Sequence, residues 1–181
     1  MGMSLERLWG VNKYFLFMSS LEISQVSNLL LEFHPEASTL GAAKIILDFD
    51  KWSLITYSVG MLGRCNWWYW DANPQLAQLI RDGRPSVTVE EAGKRYLILG
   101  KEIFNCDKGF GAKVDGIVDF VGRAGVLPPM IAVKGRNPFS TPSIIEGNHR
   151  SLAILVAYLQ GKIEVGKRYR VMVGRKSFLG L

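Results

Sequence analysis

Glycine, asparagine, histidine and arginine follow one another at Gly147-Asn148-His149-Arg150, directly after Glu146. Ahead of them, Ser143 to Glu146 reads as a short strand. Behind them, Leu152, Leu155, Val156 and Leu159 recur at helical spacing between Asn148 and Gln160, and Gly161 ends the pattern. A strand therefore delivers the chain to a helix N-terminus through a glycine. The first amides of a helix have no partner inside it, and they lie at the positive end of the helix dipole. Such a junction is a ready anion site. Arg150 adds a planar fork suited to phosphate, and His149 is a second side-chain donor. Cationic side chains in a first helical turn oppose the dipole, and an anion seated there would offset that cost. The same residues also have a purely structural reading, in which Arg150 pairs with Glu146 or Asp119 and His149 caps a core. The residues alone leave both readings open.

The elements that hold this junction can be followed along the chain. Val114 to Arg123 reads as an amphipathic helix, with Val114, Ile117, Val118 and Val121 on one side and Gly125 closing it. Val126-Leu127-Pro128-Pro129 leads into a strand from Met130 to Val133, and Gly135 to Pro142 forms a polar turn. Upstream, a helix is expected near Ile23 to Phe33. Ser24 is its candidate cap, Val26, Leu29, Leu30 and Phe33 share one face, and His34-Pro35 is its stop. Ala43 to Phe49 and Trp52 to Val59 read as strands. Gly60 to Gly63 reads as a turn, and Arg64 to Trp70 as a strand returning in a hairpin or meander. A capped helix follows, with Asn73 as cap, Pro74 first, Leu76, Leu79 and Ile80 inward and Gly83 as stop. Ser86 to Glu90 and Arg95 to Leu99 read as two strands around Ala92-Gly93.

The composition fits a globular chain, because 48% hydrophobic and 21% charged residues are ordinary values. With five Trp, nine Phe and six Tyr, long disorder is not expected. The net charge is +6, and Lys162, Lys167, Arg168, Arg170, Arg175 and Lys176 place much of the excess between Lys162 and Leu181. A basic segment attracts phosphates, nucleic acid or anionic lipid. A solvated edge strand protected by its charges is the plainer reading. The apolar patch Tyr14-Phe15-Leu16-Phe17-Met18 is too short for a membrane span. A cytoplasmic protein without membrane contact is expected.

Other candidates carry less. Cys65 and Cys106 form no CxxC pair and no zinc pattern with His34 and His149, so packing roles and a reducing compartment are expected. In a strand, Trp67-Trp68-Tyr69-Trp70 would send alternate rings into the core and outward, although stacking on a base is also possible. Gly109-Phe110-Gly111 lacks phosphate-loop spacing and reads as a plain loop. Asp115 and Asp119 lie four apart on one helix face, where they could assist a metal or simply face solvent.

The stretch Val114 to Gly161 resembles the ParB/sulfiredoxin superfamily. In that group a helix, a "G-x-L-x-P-I-x-V" strand, a hairpin and a "G-x-x-R" turn opening a helix build the nucleotide-binding core. Here these are Gly125, Leu127, Pro129, Met130-Ile131-Ala132-Val133 and Ile144-Ile145-Glu146-Gly147-Asn148-His149-Arg150. Sulfiredoxins carry a catalytic cysteine where Asn148 stands, which speaks against sulfinic acid reduction. Chromosome-partitioning ParB has Gly-Glu-Arg-Arg and a following helix-turn-helix domain, and neither is found here. The turn is similar to Asp-Gly-His-His-Arg of free-serine kinases and Asp-Gly-Gln-His-Arg of DNA-modification-associated proteins, with Glu146 for the aspartate.

The resemblance implies a mixed α+β fold: a core over about 95–163, a strand-rich N-terminal extension over about 1–94 and the basic segment 164–181, all in one domain. It also implies binding of ATP or another nucleotide, with Mg²⁺, and phosphoryl transfer or hydrolysis as in a kinase or NTPase. Gly147, Asn148, His149, Arg150 and Ser151 would hold the phosphates, and Ser140 and Thr141 would close over them. Glu146 and His149 would be the catalytic pair, with Glu146 holding Mg²⁺ through water or orienting a nucleophile. The rival expectation is a DNA-binding module or nuclease that uses the basic segment. A third is a non-catalytic sensor that keeps the fold.

Overall fold

Met130-Ile131-Ala132-Val133 is apolar at consecutive positions, so a strand built from it needs cover on both faces. The computed structural model, which describes residues 19–33, 42–68, 73–135, 137 and 140–176, provides that cover. Seven strands form one mixed sheet among the described residues: β1 (Ser19–Leu21), β2 (Lys51–Ser58), β3 (Asn66–Trp67), β4 (Val87–Thr88), β5 (Met130–Lys134), β6 (Ser143–Glu146) and β7 (Arg168–Arg175). Their order is β1-β2-β7-β5-β6-β3-β4. The β1–β2, β2–β7, β5–β6 and β3–β4 pairs are antiparallel, whereas β5–β7 and β3–β6 are parallel.

Among the described residues seven helices accompany the sheet: α1 (Ile23–Phe33), α2 (Ala42–Leu47), α3 (Val59–Gly63), α4 (Pro74–Arg81), α5 (Val89–Cys106), α6 (Lys108–Gly122) and α7 (Asn148–Leu159). Side chains alternate across a strand, and the two faces duly meet different partners. Met130, Ala132, Ile144, Val171 and Val173 face the larger core, with Leu62, Leu76, Tyr96, Val114 and Leu155 from α3 to α7. Ile131, Val133, Ile145 and Met172 face a smaller core, with Val26 of α1, Ile46 of α2, Phe49 and Trp52. The helix α7 is the hub: Leu152 to Ala157 are all buried against α5 and α6.

The mixed α+β class holds, as do β2, α4, β5, β6 and α7. In α4 the Asn73 side chain accepts the Leu76 amide at 3.0 Å, and the chain leaves through left-handed Asp82 and Gly83. Trp67 is buried and Trp68 exposed, as alternation requires. Several expectations fail. Ala43 to Phe49 is not a strand; α2 occupies it, since a short apolar run suits a buried helix equally well. Gly60 to Gly63 belongs to the short helix α3, capped by Ser58. No hairpin joins β2 to the residues after Arg64, because β2 pairs with β7 and β3 with β6. Arg95 to Leu99 is not a strand but the middle of α5. Its start is fixed by a reciprocal cap: Thr88 Oγ1 accepts the Glu91 amide, and Glu91 accepts the Thr88 amide at 2.8 Å.

Gly109-Phe110-Gly111 is not a loop either; it lies in the first turn of α6, capped by Asp107. Ser24 is not the cap of α1, which begins one residue before it. The basic segment is not a sheet edge, because β7 lies between β2 and β5. The helix α5 also runs across the boundary expected near residue 94, and the sheet takes strands from all three expected segments. His34, Tyr69, Trp70 and the Tyr14 to Met18 patch lie outside the described residues.

Candidate functional site

The β6–α7 junction turns on Gly147, with φ +90° and ψ 27°. That conformation disfavours side chains. A Cβ at Gly147 would also stand 2.7 Å from Met130 Cγ and 3.2 Å from Arg150 Nε. The turn is braced from several directions. Trp67 Nε1 donates to the Asn148 carbonyl at 3.2 Å, and Ser151 Oγ donates to the same oxygen at 3.0 Å. The Gly147 amide donates to Glu146 Oε1 at 2.7 Å, and the Ser151 amide to the Gly147 carbonyl at 2.8 Å. The N-cap of α7 is Gly147 itself, which has no side chain to offer as a cap.

Arg150 is a strut more than a reaching arm. Its side chain is 8% exposed. Nη1 donates to the Pro128 and Pro129 carbonyls at 3.1 Å each, and Nη2 stands 3.6 Å from Glu146 Oε1. Burial pulls the guanidinium below its ordinary range, and the Glu146 carboxylate pushes back; it stays charged at any working pH. The dipole cost of a cation in this turn is therefore offset within the protein by two carbonyls and a carboxylate. The expected Glu146–Arg150 pair is present, while Asp119 pairs with Lys162 at 3.0 Å instead.

Beside the turn lies a hollow of about 290 Å³, lined by Lys113 and Ile117 of α6, Pro128, Glu146, Gly147, His149 and Arg150. The His149 ring packs on Phe110 at 4.7 Å between centroids. Glu146, Gly147, His149 and Arg150 thus meet in one place. Asn148 and Ser151 support it from behind: Ser151 is fully buried, and the buried Asn148 Oδ1 has no hydrogen-bond partner. Ser140 and Thr141 are not brought in. They precede β6, whose far end carries the turn, and Ser140 Oγ donates to the Asn137 carbonyl at 2.7 Å. Asp115 accepts from Tyr96 Oη at 2.8 Å, and neither Asp115 nor Asp119 lines the hollow. The sequence reading missed Lys113. The only signal was its place one residue before the inward Val114 and four before Ile117.

The donor set suits an anion: backbone amides of α7, the Lys113 ammonium and the His149 ring. It does not suit a cation held by the protein alone. Among the described residues no three of His, Cys, Asp and Glu gather as a metal site, and Glu146 is the one carboxylate in the hollow. Burial pushes the Cys65 thiol up to about 12, which suppresses its thiolate, and Cys106 is half-buried. Among the described residues no helix is long and apolar enough to cross a membrane. Comparison of the chain with protein-family models, with curated proteins and with solved structures finds no match.

Proposed function

We propose that this protein binds the phosphates of a nucleotide, ATP or a relative, at the N-terminus of α7, as in the ParB/sulfiredoxin-like proteins that its turn resembles. One observation supports the reading: the twelve-residue helix α7 opens at Gly147 onto a hollow that also holds Lys113 and His149. The amides of Asn148, His149 and Arg150 and the Lys113 ammonium take the phosphate oxygens. Gly147 lets the turn close on Met130 and Arg150, and Arg150 acts through the loop it ties down. A hollow of about 290 Å³ accommodates the phosphate end and leaves the base towards solvent. Glu146 and His149 are the titratable groups beside the phosphates, and phosphoryl transfer or hydrolysis would use them. Mg²⁺ would arrive with the nucleotide, and no step is assigned to it.

A thermal-shift panel with ATP, ADP, CTP and GTP tests this reading. A nucleotide at a hundredfold its dissociation constant adds about 2.7 kcal/mol. Lys113→Met is the appropriate control, since Lys113 is exposed, whereas Arg150→Ala would strip the loop of its strut. A shift with one nucleotide that Lys113→Met reduces supports the reading; no shift with any of the four removes it. A DNA-binding or nuclease reading retains one supporting feature. Arg168 and Arg170 are exposed on one face of β7, across from Ser58 and Thr56. DNA affinity falling steeply with salt and weakened by Arg168→Ala and Arg170→Ala together would favour it.

A further inference from the structure

Two side chains converge on the oxygen of one peptide at the entrance to α7. Trp67 Nε1 donates to the Asn148 carbonyl at 3.2 Å across 81 residues of chain, and Ser151 Oγ donates to it at 3.0 Å. Both donors are shut off from solvent, with Trp67 1% exposed and Ser151 0%. That oxygen belongs to the peptide whose nitrogen is the His149 nitrogen. In a trans peptide the carbonyl and the N–H point in opposite directions. The His149 N–H is among those that a helix leaves without a partner of its own. Whatever holds the oxygen from behind therefore aims this N–H in front. The indole is itself held in place. Trp67 lies opposite Ile144 in the parallel β3–β6 pair, where the Asn66 amide donates to the Pro142 carbonyl at 2.8 Å and Asn66 Nδ2 to Ser143 Oγ at 3.4 Å. The register of β3 thus fixes the donor against the same strand that leads into the turn.

We infer that Trp67 is a positioning residue for the phosphate site, aiming and polarising the His149 amide through the Asn148 carbonyl. The inference rests on the phosphate-binding reading above and adds a residue that lies outside the hollow. Hydrogen bonds in a head-to-tail chain strengthen one another, by roughly 10–30% per bond in a low-dielectric surrounding. The chain here runs from the indole N–H to the Asn148 carbonyl, and from the His149 N–H to a phosphate oxygen. Ser151 makes its bond from three residues away on the same helix, and its hydroxyl moves with the turn. Trp67 makes its bond from the sheet, wedged among the residues of the larger core, so it holds the peptide against a fixed frame. Trp67 touches no ligand and acts only through the Asn148–His149 peptide.

An ADP titration of the full wild-type chain, followed on the indole N–H resonances in ¹⁵N-resolved spectra, tests this. A phosphate on the His149 amide makes the Asn148 carbonyl a stronger acceptor, so the Trp67 Nε1 proton should move downfield with the same midpoint as that amide. Adenosine should leave it in place. Two variants separate positioning from packing. Trp67→Phe keeps a ring in the core and removes the donor, and it should weaken ADP binding by roughly threefold or more. Val87→Ala loosens the strand paired with Trp67 but leaves the indole bond, and it should lower the melting temperature without changing ADP affinity. If the Asn148, His149 and Arg150 amides respond to ADP while the Trp67 indole stays still, the positioning role is wrong and the phosphate site stands. ADP binding unchanged in Trp67→Phe, or weakened as much by Val87→Ala, also overturns it. If the three amides are silent as well, the phosphate site is wrong and the role of Trp67 falls with it.

Discussion

Arg150 shows how one side chain can satisfy two readings of a sequence. Its place in the first turn of α7 suggested a phosphate ligand, yet its fork is spent on the Pro128 and Pro129 carbonyls and on Glu146. Nη1 serves both carbonyls while Nη2 stands by Glu146, and a lysine keeps the charge but has one nitrogen where arginine places these two. Arg150→Lys should therefore destabilise the fold by on the order of 1–3 kcal/mol, the cost of leaving buried groups unpaired, read as a lower urea midpoint. An unchanged midpoint would mean that the strut is dispensable and the guanidinium available to ligand. Lys113 is the complementary case. It was illegible in the sequence because a lysine on an amphipathic helix looks like any solvated residue, and only the packing of α6 against α7 brings it to the turn.

Elements were legible where a local rule had no competitor. The α4 helix carries its own cap and stop, and the strand, glycine and apolar stripe around Gly147 define β6 and α7 without tertiary help. The failure at Arg95 to Leu99 had a readable antidote in Thr88 and Glu91, three residues apart, which is the pattern of a reciprocal helix cap. Thr88→Ala should cost about 1 kcal/mol, seen as a lower melting temperature, with nucleotide affinity unchanged because α5 does not line the hollow. A neutral substitution would show that packing on α7 alone sets the start of α5. At Ile45-Ile46-Leu47 no local rule could decide, since three apolar residues fit a buried helix or a buried strand.

The partners of the strands belong to the whole molecule, and nothing local encodes them. The strand β2 crosses more than a hundred residues to pair with β7, so a hairpin with the nearest strand was the simpler but incorrect choice. That long-range pairing buries Tyr57 opposite Tyr169, near Cys65. Burial raises all three: Tyr57, helped by Cys65, to about 12, Tyr169 to about 12 and Cys65 to about 12. The folded chain then keeps protons that the unfolded chain releases from about pH 9 to 10 upward. Stability from these groups is complete below that range and is lost as pH rises towards 12. Melting temperatures should fall steeply on the alkaline side of pH 9, and Cys65→Ala should make the fall shallower. A flat profile would contradict the burial of this cluster.

The most direct reading of the phosphate site comes from its amides. In ¹⁵N-resolved spectra, ADP should move the Asn148, His149 and Arg150 amides in a saturable titration, adenosine should leave them in place, and Lys113→Met should weaken the ADP response. If those three amides stay still at every ADP concentration, or move equally with adenosine, the N-terminus of α7 does not hold phosphate and the proposed function is wrong.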